Sequence, residues 1–172
     1  TTLGTAVSND NLALAEKRLN WNLEGLSPNN GLIIWQGTPG LVRYPLLPVA
    51  VENGNYDMVR LLVMHGAELS PKDWDKELQL PSGSYVKNPL YFAITNHDIK
   101  MIGFLINLGV NPELGILLAL TKGDRDLVKF LLQNGASLEF ALGQAKKMGY
   151  NQQRIDNLFA DYMPKLEVEA AQ

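Results

Sequence analysis

Apolar and polar positions recur in one block pattern that occurs three times in the middle of the chain. Each copy has a Leu or Ile three residues before a small alanine, then a polar turn, a longer apolar stripe and a glycine. Apolar residues at three- and four-residue spacing predict amphipathic helices, so each copy predicts a helix, a tight turn, a second helix and a glycine stop. The copies begin at Leu47, Leu90 and Ile116 and end at Gly66-Ala67, Gly109-Val110 and Gly135-Ala136.

Particular residues mark where these predicted helices begin and end. Glycine accepts the left-handed backbone that commonly follows a helix C-terminus, which assigns helix stops to Gly66, Gly109 and Gly135. Asn88 before Pro89 is typical of an N-cap followed by proline at the first helical position. The small alanine in each copy predicts a close approach between neighbouring helices.

The pattern resembles the ankyrin repeat, in which T-P-L-H-x-A-A-x-x-G is followed by V-V-x-x-L-L and then by G-A. Residues 44–137 match it best, and both ends carry atypical copies, as the terminal repeats of such arrays do. The last helix is expected to reach Tyr162, with Pro164 ending it and residues 164–172 forming a frayed tail. The resemblance implies one all-α domain, an ankyrin-repeat solenoid of about five helix pairs, with repeats at about 1–21, 44–67, 88–110, 114–137 and 139–163.

Several family positions are filled by other residues. The threonine and histidine of T-P-L-H are absent from every copy, and only Pro89-Leu90 keeps the proline and the leucine. The turn glycine is present as Gly54 and Gly123, whereas Asp10 and His97 occupy the equivalent positions of two other copies. Asp and His tolerate a left-handed backbone better than most non-glycine residues, so we expect the turn to form at these positions too.

The spacings between equivalent alanines are unequal. Ala93 to Ala119 and Ala119 to Ala145 are each 26 residues, shorter than the roughly 33 of the family. Ala6 to Ala50 is 44 residues and Ala50 to Ala93 is 43. Two long insertions therefore lie in the N-terminal half of the chain and none in the C-terminal half.

The two insertions, residues 22–43 and 68–87, are rich in aromatic and aliphatic residues. Leu32-Ile33-Ile34-Trp35 predicts either a strand or a hydrophobic tip. Tryptophan and tyrosine are over-represented among interface hot spots, so the insertions favour contact with a partner. The alternative is that the insertions fold against each other and bury these rings locally. The aromatic candidates within or beside them are Trp35, Tyr44, Trp74 and Tyr85, with Trp21 just before the first insertion.

The resemblance also implies a second contact surface, because ankyrin partners usually lie along the concave face formed by the loops and the first helices. The two residues before each turn position point there, and in this chain most of them are short and polar. They form either a hydrogen-bonding floor beneath the insertions or a simply solvated surface. The predicted contact residues of this face are Glu52, Asn53, Tyr91, Thr95, Asn96, Thr121 and Lys122. The equivalent residues of the terminal copies are Ser8, Asn9, Lys147 and Met148.

Composition and charge narrow the functional classes. Of the 172 residues 46% are hydrophobic, and the net charge of −3 comes without a basic run, which disfavours disorder and a nucleic-acid-binding face. No apolar stretch is long enough to span a bilayer. His65 and His97 lack partners at metal-ligand spacing, and the absence of cysteine removes thiolate chemistry. No phosphate-binding or catalytic-serine motif occurs, so we expect no enzyme activity, cofactor or metal.

The expected function is the binding of another protein by a monomer, without nucleic acid or membrane insertion. One hypothesis is an inhibitor or self-protection protein, since immunity-like bacterial ankyrin proteins that block secreted or periplasmic cell-wall hydrolases are similar to this chain. The other is an adaptor or effector domain that recruits a cytosolic or host protein through its concave face. A structural role or a small-molecule pocket is the third. The chain begins at Thr1 without a signal segment, which leaves periplasmic or exported and cytoplasmic locations open, with a slight preference for the periplasm.

Overall fold

A computed structural model of the protein describes residues 2–20, 27–29, 31–33, 42–69 and 88–162. Within them the chain forms ten helices in five pairs and one short antiparallel ribbon, and it divides into two compact units, residues 1–110 and 111–172. The all-α class and the five helix pairs predicted from the sequence are confirmed. The first unit contains α1 (Leu3–Ser8), α2 (Leu12–Asn20), β1 (Gly31–Ile33), β2 (Val42–Tyr44), α3 (Leu47–Glu52), α4 (Tyr56–Met64), α5 (Tyr91–Thr95) and α6 (Ile99–Asn107). The second contains α7 (Glu113–Lys122), α8 (Arg125–Gln133), α9 (Leu138–Lys147) and α10 (Gln152–Leu158).

The first unit stacks three helix pairs. Helix α1 packs against α2 and α3, helix α3 packs against α4 and α5, and α2 contacts α4. The ribbon pairs β1 with β2, placing Gly31 opposite Tyr44, and β1 packs against α1. Of the two predictions for the apolar segment of the first insertion, the strand is therefore formed at Leu32 and Ile33. Ile34 and Trp35 lie outside the described residues.

Each of the five helix pairs has one equivalent alanine that closes the turn between its two helices. The exposed fractions of these alanines are 1% or less, which leaves no room for a larger side chain. Each alanine carbonyl accepts a hydrogen bond from the N–H five residues later, so the same bond shapes every turn. The pairs are Ala6 with Asn11 (2.8 Å), Ala50 with Asn55 (3.2 Å), Ala93 with Asp98 (2.8 Å), Ala119 with Asp124 (3.0 Å) and Ala145 with Tyr150 (3.1 Å).

The residue before each of these donors has a left-handed backbone. Gly54, Gly123 and Gly149 have φ values of 68°, 65° and 76°, as glycine readily allows. Asp10 (φ 57°) and His97 (φ 55°) adopt the same conformation in the other two turns. The prediction that these two residues substitute for the turn glycine is confirmed.

The second helix of every pair begins with an Asx N-cap, a signal that the sequence analysis did not use. The side-chain oxygen of the cap accepts the N–H three residues on, satisfying one of the unpaired donors of the first turn. The capping pairs are Asn11 with Leu14, Asn55 with Met58, Asp98 with Met101, Asp124 with Leu127 and Asn151 with Arg154, all between 2.8 and 3.0 Å.

The predicted glycine stops are confirmed as Schellman motifs. After α4, the Gly66 N–H donates to Val63 and the Ala67 N–H donates to Leu62, which is the double bond pattern of that motif. The same two bonds follow α6 and α8, at Gly109 and Gly135.

The predicted start of α5 is wrong by about two residues. The helix begins at Tyr91 and its N-cap is Leu90, rather than Asn88 with Pro89 at the first helical position. Asn88 is buried and its side-chain oxygen accepts the Leu90 N–H at 2.9 Å. This bond is of the N-cap type, but only a turn forms at Pro89 and Leu90 before the helix begins.

The predicted end of the last helix is also wrong, since α10 ends at Leu158 rather than continuing to Tyr162. Beyond it the chain turns back toward α8 within the second unit. Phe159 is fully buried, and Asp161 pairs with Arg125 (3.4 Å) and Lys129 (3.3 Å). These contacts are made by residues that were predicted to form the last helical turn. The predicted tail lies outside the described residues.

Candidate protein-binding site

Four exposed polar residues stand at the C-terminal ends of two adjacent first helices in the first unit. Glu52 and Asn53 end α3, and Thr95 and Asn96 end α5, which packs against α3. We call these four residues the turn row. Their backbone is held by helical and turn bonds, including Asn53 N–H to Val49 (3.1 Å) and Asn96 N–H to Phe92 (2.8 Å). The turn row therefore presents polar side chains from a fixed backbone.

Some side chains of the predicted contact face are already engaged within the fold. The Asn53 amide nitrogen donates to the Val7 carbonyl at 3.1 Å and so links α3 to α1. The Thr95 hydroxyl donates to the Tyr91 carbonyl at 2.8 Å, one helical turn earlier. Asn53 keeps its side-chain oxygen as an acceptor and Thr95 its hydroxyl oxygen, so the row offers acceptors more readily than donors.

Glu52 and Tyr91 add charge and aromatic surface to the same region. Partial burial of its carboxylate raises the pKa of Glu52, because the carboxylate loses part of its hydration at the end of α3. Tyr91 is half-buried and meets Phe92 edge to face, with ring centres 5.3 Å apart. Hydrogen bonds donated by a partner to Glu52 would replace the hydration that this carboxylate loses in the folded protein.

The bases of the two insertions meet at the other end of the α3–α4 pair from the turn row, where α3 begins and α4 ends. The Asn29 amide nitrogen, in the first insertion, donates to the Gly66 carbonyl at 2.9 Å. The Asn29 side-chain oxygen accepts the N–H of Glu68, the first residue of the second insertion, at 2.6 Å. The buried Pro28 accepts the Leu46 N–H at 2.7 Å. The insertions are thus joined through described hydrogen bonds.

The remaining predicted residues fall in three places. Tyr44 lies in β2, paired with Gly31, at the end of the first insertion. Trp35, Trp74 and Tyr85 lie outside the described residues, as does Trp21. Thr121 and Lys122 are exposed at the end of α7 in the second unit, where the Thr121 hydroxyl donates to the Leu117 carbonyl at 2.8 Å.

A family model of ankyrin repeats (3 copies) matches residues 49–141, more than half of the chain. The chain belongs to the ankyrin-repeat family. A search of curated proteins finds no match. Family membership indicates a protein-binding module, of a kind that is typically non-catalytic. It confirms the family assigned from the sequence pattern.

This ankyrin-repeat protein carries a further surface cluster that the sequence analysis missed. On α4 and α6, Tyr56 meets Phe104 edge to face at 5.0 Å, and the Arg60 guanidinium lies 5.6 Å from the Phe104 ring centre. Burial raises the pKa of Tyr56, assisted by the charge of Asp98 and a hydrogen bond to it. Met64 is 76% exposed at the end of α4. The i, i+4, i+8 spacing of Tyr56, Arg60 and Met64 would have revealed this stripe.

The described part of the ankyrin-repeat protein contains no group of three potential metal-ligating side chains. None of the helices in the described ranges is both long and apolar enough to cross a bilayer. The second unit has a shallow cleft of about 350 Å³ between the start of α8 and α10, lined by Gly123, Arg125, Arg154, Asn157 and Leu158.

Proposed function

We propose that this ankyrin-repeat protein binds another protein through the turn row and the two insertions of the first unit. The observation that carries the proposal is the turn row itself. Exposed polar side chains at 52, 53, 95 and 96 project from adjacent helix ends whose backbone is fixed by hydrogen bonds. A surface ordered before binding loses little conformational entropy when the partner docks.

The aromatic content of the insertions supports a wedge-like mode of binding. Trp35, Trp74 and Tyr85 belong to the two insertions, and the insertions join at the Asn29 bonds. Large aromatic side chains anchor well in a concave apolar cleft of a partner. An inhibitor fills such a cleft, so we propose an immunity-like inhibitor of a secreted or periplasmic cell-wall hydrolase. Its predicted state is a monomer.

An adaptor that recruits a cytosolic or host protein is the second candidate. It is favoured by the exposed row at the helix ends, because that surface suits a broad protein contact without a cleft. In this mode Glu52 and Asn96 would carry more of the affinity than the tryptophans. The two candidate functions therefore differ in which residues contribute most to the binding affinity.

Affinity capture followed by measurement of Kd tests the proposal. The insertion variant is Trp35→Ala with Trp74→Ala, and the row variant is Glu52→Ala with Asn96→Ala. The matched control is Glu16→Ala with Asn107→Ala, which changes the same residue types at exposed positions of α2 and α6. Circular dichroism confirms that each variant is folded.

We expect the control to bind as the wild type does and the insertion variant to lose at least tenfold in affinity, the order of one hot-spot residue. A captured hydrolase should also lose activity when the ankyrin-repeat protein is added. Loss of binding only in the row variant, with the partner's activity unchanged, supports the adaptor. Equal binding by all variants contradicts both candidates.

A further inference from the structure

Asn29 makes two hydrogen bonds that connect segments far apart in the sequence. Its amide nitrogen donates to Gly66 at 2.9 Å, and its amide oxygen accepts from Glu68 at 2.6 Å. The contacts span 37 and 39 positions. Asn29 therefore satisfies one acceptor and one donor of the segment that leaves α4 and enters the second insertion.

Neighbouring contacts hold both sides of this junction. On the first insertion, the Ser27 hydroxyl oxygen accepts the Asn29 N–H at 3.2 Å, and Pro28 accepts the Leu46 N–H. On the second insertion, the Leu69 side chain lies close to Gly109, where an added Cβ would be 3.5 Å from Leu69 Cδ1. The junction is thus tied to β2–α3 on one side and to the end of α6 on the other.

We infer that Asn29 is a positioning residue that couples the two insertions, so that they engage a partner as one surface. This inference rests on the proposed function, in which the insertions make the contact. Two contact groups held on a common base bind with a high effective concentration of the second after the first has docked. Without the junction, each insertion would dock separately.

The side chain required at this position is narrowly defined. Only an amide offers a donor and an acceptor side by side, and asparagine has the length that reaches both backbone groups. Asn29→Asp keeps the acceptor for the Glu68 N–H but places a carboxylate oxygen against the Gly66 carbonyl. Asn29→Ala removes both bonds. The two variants therefore separate the effects of the two contacts.

Amide hydrogen exchange of the full chain tests the coupling without any partner. In Asn29→Ala we expect the Glu68 N–H to exchange roughly fivefold faster, as for loss of one ordinary hydrogen bond, while the Asp98 N–H is unchanged. Asn29→Asp should retain most of the Glu68 protection. The control Asn107→Ala, an exposed asparagine at the end of α6, should leave both rates unchanged. Unchanged Glu68 exchange in Asn29→Ala overturns the inference.

A double-mutant cycle on the captured partner tests the consequence for binding. The fold-changes in Kd from Trp35→Ala and Trp74→Ala should multiply in the wild-type background, where both insertions engage together, and should fail to multiply in Asn29→Ala, where each docks separately. A loss of general stability would not produce this difference. If the two effects combine identically in both backgrounds, the two insertions are not coupled through Asn29. A wrong proposed function gives a different result from a lack of coupling. In that case the wild-type protein binds no partner whose affinity depends on Trp35 or Trp74.

Discussion

His97 provides a direct measure of the free energy stored in an ankyrin turn that lacks glycine. It adopts φ 55° between α5 and α6, where three of the other four turns have glycine. Its side chain is exposed and forms no hydrogen bond or ion pair with another residue of the described ranges. Replacement by glycine therefore changes the backbone preference and little else.

The expected effect of His97→Gly is a net stabilisation. Relief of the left-handed conformation gains about 1–2 kcal/mol, since the cost for a residue with a Cβ is of that order. Glycine also gives the unfolded chain more freedom, which removes about 0.5–1 kcal/mol of that gain. The free energy of unfolding should rise by about 0.5–1 kcal/mol, or about 1–4 °C in Tm for a chain of this length.

Asp10 supplies an internal contrast, because it has the same backbone conformation but its side chain makes a hydrogen bond. Its carboxylate accepts the Asn55 amide N–H at 2.7 Å. Asp10→Gly loses this bond, worth about 0.5–1.5 kcal/mol, and so should be close to neutral. In the opposite direction, Gly123→Ala should destabilise by about 1 kcal/mol, because φ there is 65°.

Chemical denaturation followed by circular dichroism measures these differences, and exchange of the Asp98 N–H reports on the turn itself, since that group donates to Ala93. Asn96→Gly is the control, because Asn96 has an ordinary φ of −83° and glycine there brings only the entropic loss. If His97→Gly destabilises the protein as much as Asn96→Gly does, the left-handed backbone stores no recoverable free energy and the reasoning is refuted.

Three further predictions concern the core and the titrating groups. Leu62→Ala should lower the free energy of unfolding by about 2–5 kcal/mol because Leu62 is fully buried, whereas Met64→Ala, at 76% exposure, should change it by less than about 0.5 kcal/mol; denaturation curves measure both. Partial burial raises the pKa of Glu52, so the contribution of this group to stability is lost as pH rises above its usual pKa of 4.5. Glu52→Gln should therefore stabilise the protein at neutral pH but not below pH 4.5, and thermal melts across this pH range measure the difference. A hydrogen bond and the charge of Lys129, with help from Arg125, lower the pKa of Asp161, so the contribution of this group to stability is lost as pH falls below its usual pKa of 3.8. In Lys129→Ala, NMR titration of the Asp161 carboxylate should give a pKa closer to that usual value.

Features whose physical cause lies within a few residues were predictable from the amino-acid sequence. The helix–turn–helix blocks follow from apolar spacing, the buried alanines from their fixed place in each block, and the glycine stops from the left-handed backbone they permit. The left-handed Asp10 and His97 were predictable for the same reason, because few other residues tolerate that conformation. The Asx caps at 55, 98 and 124 were equally local and could have been predicted.

Features that depend on contacts between distant parts of the chain were not predictable from local sequence. Asn29 reaches Glu68 across 39 positions, and Asn53 reaches Val7 across 46, and an asparagine alone does not reveal its partner. Beyond the end of α10, Phe159 is buried and Asp161 pairs with Lys129, 32 positions earlier, which the local sequence does not reveal. Local rules define each helix pair because its hydrogen bonds close within about five residues, whereas the joining of the insertions depends on where distant backbone groups come to lie.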